Sequence, residues 1–198
     1  MKPRLLLAAL LLPILASAVE INFTSPAFES GVDSGNTALT TGFTFALGSF
    51  GQFTPTNSNT VAWDASFTLL DSVFWDDTFT QFSGTATLAT NTDPFATTTQ
   101  AYIWGYDAIS GVADEWILFT NPGWLFPSSA DFLPTGWDIS DAGTTTIVGE
   151  LADHLGATPY LQTASVSAVP EPGTTALVIA LAMAGVVGHR IRRRRTAT

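Results

Sequence analysis

Two carboxylate doublets, Asp76-Asp77 and Asp114-Glu115, are the side chains here with the most chemical potential. Two carboxyls facing each other across a cleft can hydrolyse a glycosidic bond, one as acid and the other as base or nucleophile. Neighbouring residues on a strand point to opposite faces, so neither doublet makes such a pair alone. Both read as solvated loop carboxylates, and no catalytic residue is assigned. His154 follows Asp153, but serine is too abundant to single out a nucleophile and no Gly-x-Ser-x-Gly elbow occurs. A lone surface histidine is expected. Asp33-Ser34-Gly35-Asn36 and Asp138-Ile139-Ser140-Asp141 place oxygen ligands on turns, the type calcium takes. Asp33, Asp138 and Asp141 are therefore the metal candidates, with structural Ca²⁺ as the cofactor considered, although the same residues are ordinary turn formers. Trp63, Trp75, Trp104, Trp116, Trp124 and Trp137 belong to the core by type, with a sugar-stacking platform as the functional alternative.

The elements that must position these residues read as strands. Thr, Phe, Trp, Val and Ile suit a pleated, half-buried surface. Strands are expected at Ile21–Phe28, Thr40–Leu47, Val61–Leu70, Phe79–Leu88 with Gly84 as a bulge, Thr144–Glu150 and Tyr160–Val166. A hairpin pairs Gln100–Tyr106 with Glu115–Thr120 across a turn at Ser110-Gly111. Tyr102, Trp104 and Tyr106 share one face of its first arm, and Ala101, Ile103 and Gly105 the other. Gly149–Leu155 is the one helical stretch outside the termini, and Asn121 to Gly136, with three prolines, is expected to be a long loop. The fold expected is all-β, a single antiparallel sandwich or barrel-like domain.

The chain has 198 residues and a net charge of −10. All seven Lys and Arg lie in the terminal segments, so the 150 residues from Val19 to Ala168 carry sixteen Asp and Glu and no cation but His154. Nucleic acid is excluded as a partner, because phosphate contacts need cations. Cysteine is absent, which removes disulfides, thiolate metal sites and thiol nucleophiles. The twenty-three aromatics of this interval argue against disorder and for one folded domain held by its core.

The termini read as routing signals. Lys2 and Arg4, the apolar Leu5–Leu15 and Ala16-Ser17-Ala18 make a secretory signal peptide over residues 1–18, expected to be helical. Its cut falls between Ala18 and Val19. An ectodomain follows over 19–167, then a sorting segment over 168–195. Within that segment Val169-Pro170-Glu171-Pro172-Gly173 is a stiff extended stretch, because each proline fixes its own φ and biases the residue before it. Residues 174–188 are apolar, ~22 Å as a helix and short for a bilayer span. The tail 189–195 holds Arg190, Arg192, Arg193, Arg194 and Arg195, a stop signal that keeps the C-terminus on the cytoplasmic side. The expected topology is a single-pass membrane intermediate.

This order of Pro170-Glu171-Pro172, apolar run and arginine cluster resembles the PEP-CTERM sorting signal of exported Gram-negative proteins. The likeness covers residues 169 to 195, with Gly173 where serine is frequent. It implies an exosortase as partner, transient residence in the inner membrane, a final place at the cell surface or outside, and an association with exopolysaccharide or biofilm matrix. The ectodomain is expected to be a non-enzymatic envelope or matrix module, with a carbohydrate-binding or glycan-hydrolysing β-sandwich as the alternative.

Overall fold

A computed structural model describes residues 18–107, 114–131, 133–152 and 159–166. Twelve strands and two short turns of helix follow one another along them. They are β1 (Val19–Thr24), β2 (Gly31–Val32), β3 (Thr44–Ser49), a 3-10 turn (Thr60–Ala62), α1 (Trp63–Ser66), β4 (Thr68–Phe74), β5 (Ser83–Leu88), β6 (Gln100–Tyr106), β7 (Asp114–Leu125), β8 (Thr135–Asp138), β9 (Thr145–Val148), β10 (Glu150–Leu151), β11 (Leu161–Gln162) and β12 (Ala164–Val166). The all-β expectation holds. The strands form separate sheets that do not close into a barrel: one of order β4-β3-β6-β7-β12 with β9 also on β7, one of order β5-β1-β8, and a small one of order β10-β11-β2.

The large sheet is buried on both faces, and alternation along its strands explains how. Phe45 and Leu47 of β3, Ala101 and Ile103 of β6, and Ile117 and Phe119 of β7 meet Val19, Ile21 and Phe23 of β1 and Ala86 and Leu88 of β5 in one core. Phe45 and Phe82 stack at its centre, 4.0 Å apart and 15° from parallel. The opposite face carries a second core of Phe50, Trp63, Trp104, Trp116, Leu118 and Val148, flanked by Phe53, Phe67, Tyr102 and Tyr106. The two faces expected for β6 are thus the two sides of this division.

Several expectations are corrected. Pairing is mixed and not purely antiparallel, since β1 runs parallel to β8 and β2 parallel to β11. The strand expected at Val61–Leu70 is strand only from Thr68, and residues 61–66 belong to the 3-10 turn and α1. Asn59 is the reason: its Oδ1 accepts from the Thr56 N–H at 2.8 Å and from Trp63 Nε1 at 2.9 Å, while Nδ2 donates to Thr54 O at 3.0 Å. That side chain curls the segment and drops Trp63 onto Trp116, with the rings 5.7 Å apart. The expected loop at 121–136 is strand at both ends, because β7 runs on to Leu125 and β8 starts at Thr135. Gln100 Nε2 holds the extension by donating to the carbonyls of Asn121 and Trp124. Gly84 is no bulge: β1 and β5 stay in register from Val19↔Leu88 to Thr24↔Ser83. It gives space instead, since a Cβ there would lie 2.4 Å from Phe23 Cζ. The expected helix at 149–155 is β10 where described, and 153–158 lie outside the described residues. The first strand ends at Thr24, four residues early, as the chain turns past Pro26 to a left-handed Phe28.

Candidate functional site

The carboxylate that gathers most of the surface around it is Glu115. It is the second residue of the long strand β7 and reaches two distant segments: Oε1 accepts from Ser34 Oγ at 2.5 Å, Oε2 accepts from the Ser34 N–H at 2.9 Å, and Thr163 Oγ1 also donates to Oε2. Asp107 Oδ1 in turn accepts the Glu115 N–H at 2.9 Å. Two hydroxyls and an amide thus converge on one acid as donors.

Beside it the strands fork. The ladder β10–β11 splays so that β9 and β12 join the same edge of β7 end to end, β9 at Leu118–Thr120 and β12 at Asp114–Trp116. Gly149 sits at the fork with φ +80, and a Cβ there would meet the Gln162 carbonyl at 2.8 Å and Ile117 at the same distance. Two adjoining niches of about 470 and 500 Å³ open here and share Asn57, Val148, Ala164 and Ser165. Ser34, Gln162 and Thr163 line the first, and Val61 and Val166 the second. Valine and alanine side chains, hydroxyls, amides and the single acid Glu150 line a groove suited to uncharged polar groups.

Of the residues singled out in the sequence, Glu115 and the Asp33–Asn36 turn meet here through Ser34, and the others lie elsewhere. Asp33 Oδ1 accepts from the Gly35 and Thr37 N–H groups, both at 2.8 Å. Asp138 Oδ1 accepts from the Ser140 N–H and hydroxyl, and Asp141 Oδ2 from the Asp138 N–H at 3.0 Å and Trp124 Nε1 at 3.2 Å. These calcium candidates are engaged in their own turns, and among the described residues no cluster of three or more acids or histidines is arranged to hold a metal. Asp76 Oδ1 closes a turn on the Thr78 and Phe79 N–H groups. Asp114 is buried while Glu115 faces Ser34, so this doublet splits between faces as strand geometry requires. All six tryptophans are at most 5% exposed, which leaves none as an open stacking platform. Trp104 Nε1 is buried without a hydrogen-bond partner, its ring edge-on to Trp63 and Trp116 at 84° and 81°.

Three tyrosines have raised pKa values. Burial pushes Tyr160 up to about 12, with Asp138 and Glu29 adding to the effect. Burial also raises Tyr102, and raises Tyr106 together with the charge of Asp64. At the expected cleavage point, Ala18 is exposed and Val19, the first residue of β1, is buried. Ala16, His154, Pro170, Glu171, Pro172 and the arginines Arg190 and Arg192 to Arg195 lie outside the described residues. Sequence reasoning missed the fork and the role of Glu115, because both depend on contacts between residues far apart in the chain. No protein-family profile, curated protein or solved structure matches the chain.

Proposed function

We propose that the chain is an exported bacterial envelope or matrix protein whose ectodomain is non-enzymatic and whose destination is set by its C-terminal signal. The signal peptide is removed between Ala18 and Val19, residues 174–188 stop in the inner membrane, and an exosortase reads Pro170-Glu171-Pro172 before delivery to the surface. The carrying observation is the segregation of charge. Every Lys and Arg sits in the two terminal signals, and the interval occupied by the described strands, Val19 to Val166, holds none. Positive charge fixes orientation at a membrane, so this distribution favours passage of the middle and retention of the end. The boundary at Val19 supports the reading as well: a cut there leaves β1 whole.

Fractionation in a host with an exosortase tests it. Replacing Pro170, Glu171 and Pro172 by alanine leaves the apolar run and arginines, so insertion persists while onward sorting stops. Arrival of this variant at the wild-type destination defeats the reading. A second reading, a glycan-binding β-sandwich, draws on the groove at the fork and its uncharged polar walls. It takes exopolysaccharide as ligand without needing an exposed tryptophan, and retardation of the chain in gels containing neutral polysaccharide supports it.

A further inference from the structure

Val166, the last described residue, lies at one end of the large sheet. Thr44 pairs with Phe74 on one side and Tyr106 on the other, Tyr106 pairs with Trp116, and Asp114 pairs with Val166, the last residue of β12. Phe74, Thr44, Tyr106, Trp116 and Ala164 form a row across this end of the sheet, and Asp114 and Val166 lie two residues beyond it. From β4 to β12 it spans four strand spacings, ~19 Å.

The same end carries the exposed aromatic rings. Phe28 is 76% exposed, Phe74 65% and Phe79 47%, and these are the aromatic members among the exposed large hydrophobics of the described residues. Phe74 closes β4. Just beyond it Asp76 and Gln81 exchange backbone hydrogen bonds of 2.7 and 3.1 Å, and Phe79 stands in the turn between them. Phe28 is tied to that turn by its N–H, which donates to Phe79 O at 2.7 Å, and the two rings meet edge to face at 5.9 Å. Phe28 has φ +64 and Thr80 φ +44, backbone that bulky and β-branched residues avoid. Strain of this kind is held in place by the surrounding bonds and points to a use for the rings it displays.

We propose that this end of the ectodomain lies on the lipid bilayer, with Phe28, Phe74 and Phe79 entering the headgroup region. The inference rests on the reading of residues 174–188 as a membrane anchor. From Val166 to Thr174 the tether is eight residue steps, about 28 Å when fully extended. Val166 therefore stays within one tether length of the membrane, and the rings lie across the same end of the sheet, on its β4 side. Phe side chains on peripheral membrane-binding faces enter the boundary between headgroups and acyl chains. Asp77 beside the rings is exposed and the ectodomain carries no Lys or Arg, so the lipid surface that fits is zwitterionic and not anionic.

The full chain reconstituted into phosphatidylcholine vesicles, with and without dibrominated lipid, tests the proposal. Phe79→Trp adds an indole at this end, and Leu125→Trp adds one at the opposite end of β7, where Leu125 is 40% exposed. Relative to wild type, the indole at 79 should lose at least half its emission to brominated lipid, and the indole at 125 should be unaffected. Phosphatidylglycerol vesicles at low salt should quench position 79 less. Equal quenching at both positions, none at 79, or stronger quenching in the anionic lipid overturns the docking. A position-79 signal that changes with protein concentration in detergent alone overturns it in favour of a second copy. A chain that fails to float with vesicles overturns the anchor reading and the docking with it, whereas flotation without quenching overturns the docking alone.

Discussion

Glu115 shows how much one side chain can hold together. Glu115→Ala removes acceptors for Ser34 and Thr163 at once. Hydrogen bonds to a charged group contribute about 1.5–3 kcal/mol each, and partial exposure and water replacement reduce the sum, so a loss of about 2 kcal/mol is expected. A lower urea midpoint with unchanged m value would show it, and Ser34→Ala with Thr163→Val should be less than additive with it. Gly84→Ala should cost about 1–3 kcal/mol because its Cβ would enter the Phe23 ring. The tyrosines give a pH signature. Tyr160 holds its proton up to about 12 in the fold, against 10.0 ordinarily. The fold therefore binds more protons than the unfolded chain between these values. Stability from this group is complete below pH 10 and is lost as pH rises towards 12. Absorbance at 295 nm should show the tyrosines ionising later in the native chain than in urea. Residue types were legible at this scale, including turn use of Asp33 and Asp138, whereas the partners of Glu115 were hidden by their distance along the chain.

At the scale of elements, periodicity revealed what it physically encodes. Tyr102-x-Trp104-x-Tyr106 separates two cores, so β6 was readable from alternation alone. The cap over the second core was not, because Val61 and Trp63 have strand-forming side chains and the curl comes from Asn59. Asn59→Ala should release Thr56, Trp63 and Thr54 together. A loss of about 1–3 kcal/mol is expected, with faster amide exchange confined to residues 54–67. A uniform rise in exchange across β3 and β6 would contradict the local role. The fork was equally illegible, since Tyr160 to Val166 reads as one strand and only the competition for the edge of β7 divides it. Burial of the large sheet on both faces explains why Trp116-Ile117-Leu118-Phe119 is continuously apolar.

For the whole molecule, charge is the dominant feature. Sixteen carboxylates between Val19 and Ala168 face no Lys or Arg, so repulsion opposes the compact state. The melting temperature should climb with NaCl through the range where the Debye length falls from about 30 to about 3 Å. If turns such as Asp138–Asp141 hold calcium, millimolar Ca²⁺ should raise it further than NaCl of matched ionic strength, and equal shifts would mean screening alone. Composition made this scale the most legible: the all-β class and the charge distribution were readable, and the parallel pairings were not.

Those parallel pairings tie the two ends of the domain together. Ile21 aligns with Thr135, and Gly31 with Leu161, so on the export route proposed above strands that leave a secretion channel first must wait for those that leave last. Such long-range pairing folds slowly. The earliest strands stay open to proteases until β11 and β12 have crossed, by which time the apolar run has reached the channel. Arrest in the membrane and completion of the fold thus become nearly simultaneous events, and a chain stopped after Ala152 should be exported yet degraded. Maturation would then be timed by the length of the polypeptide itself.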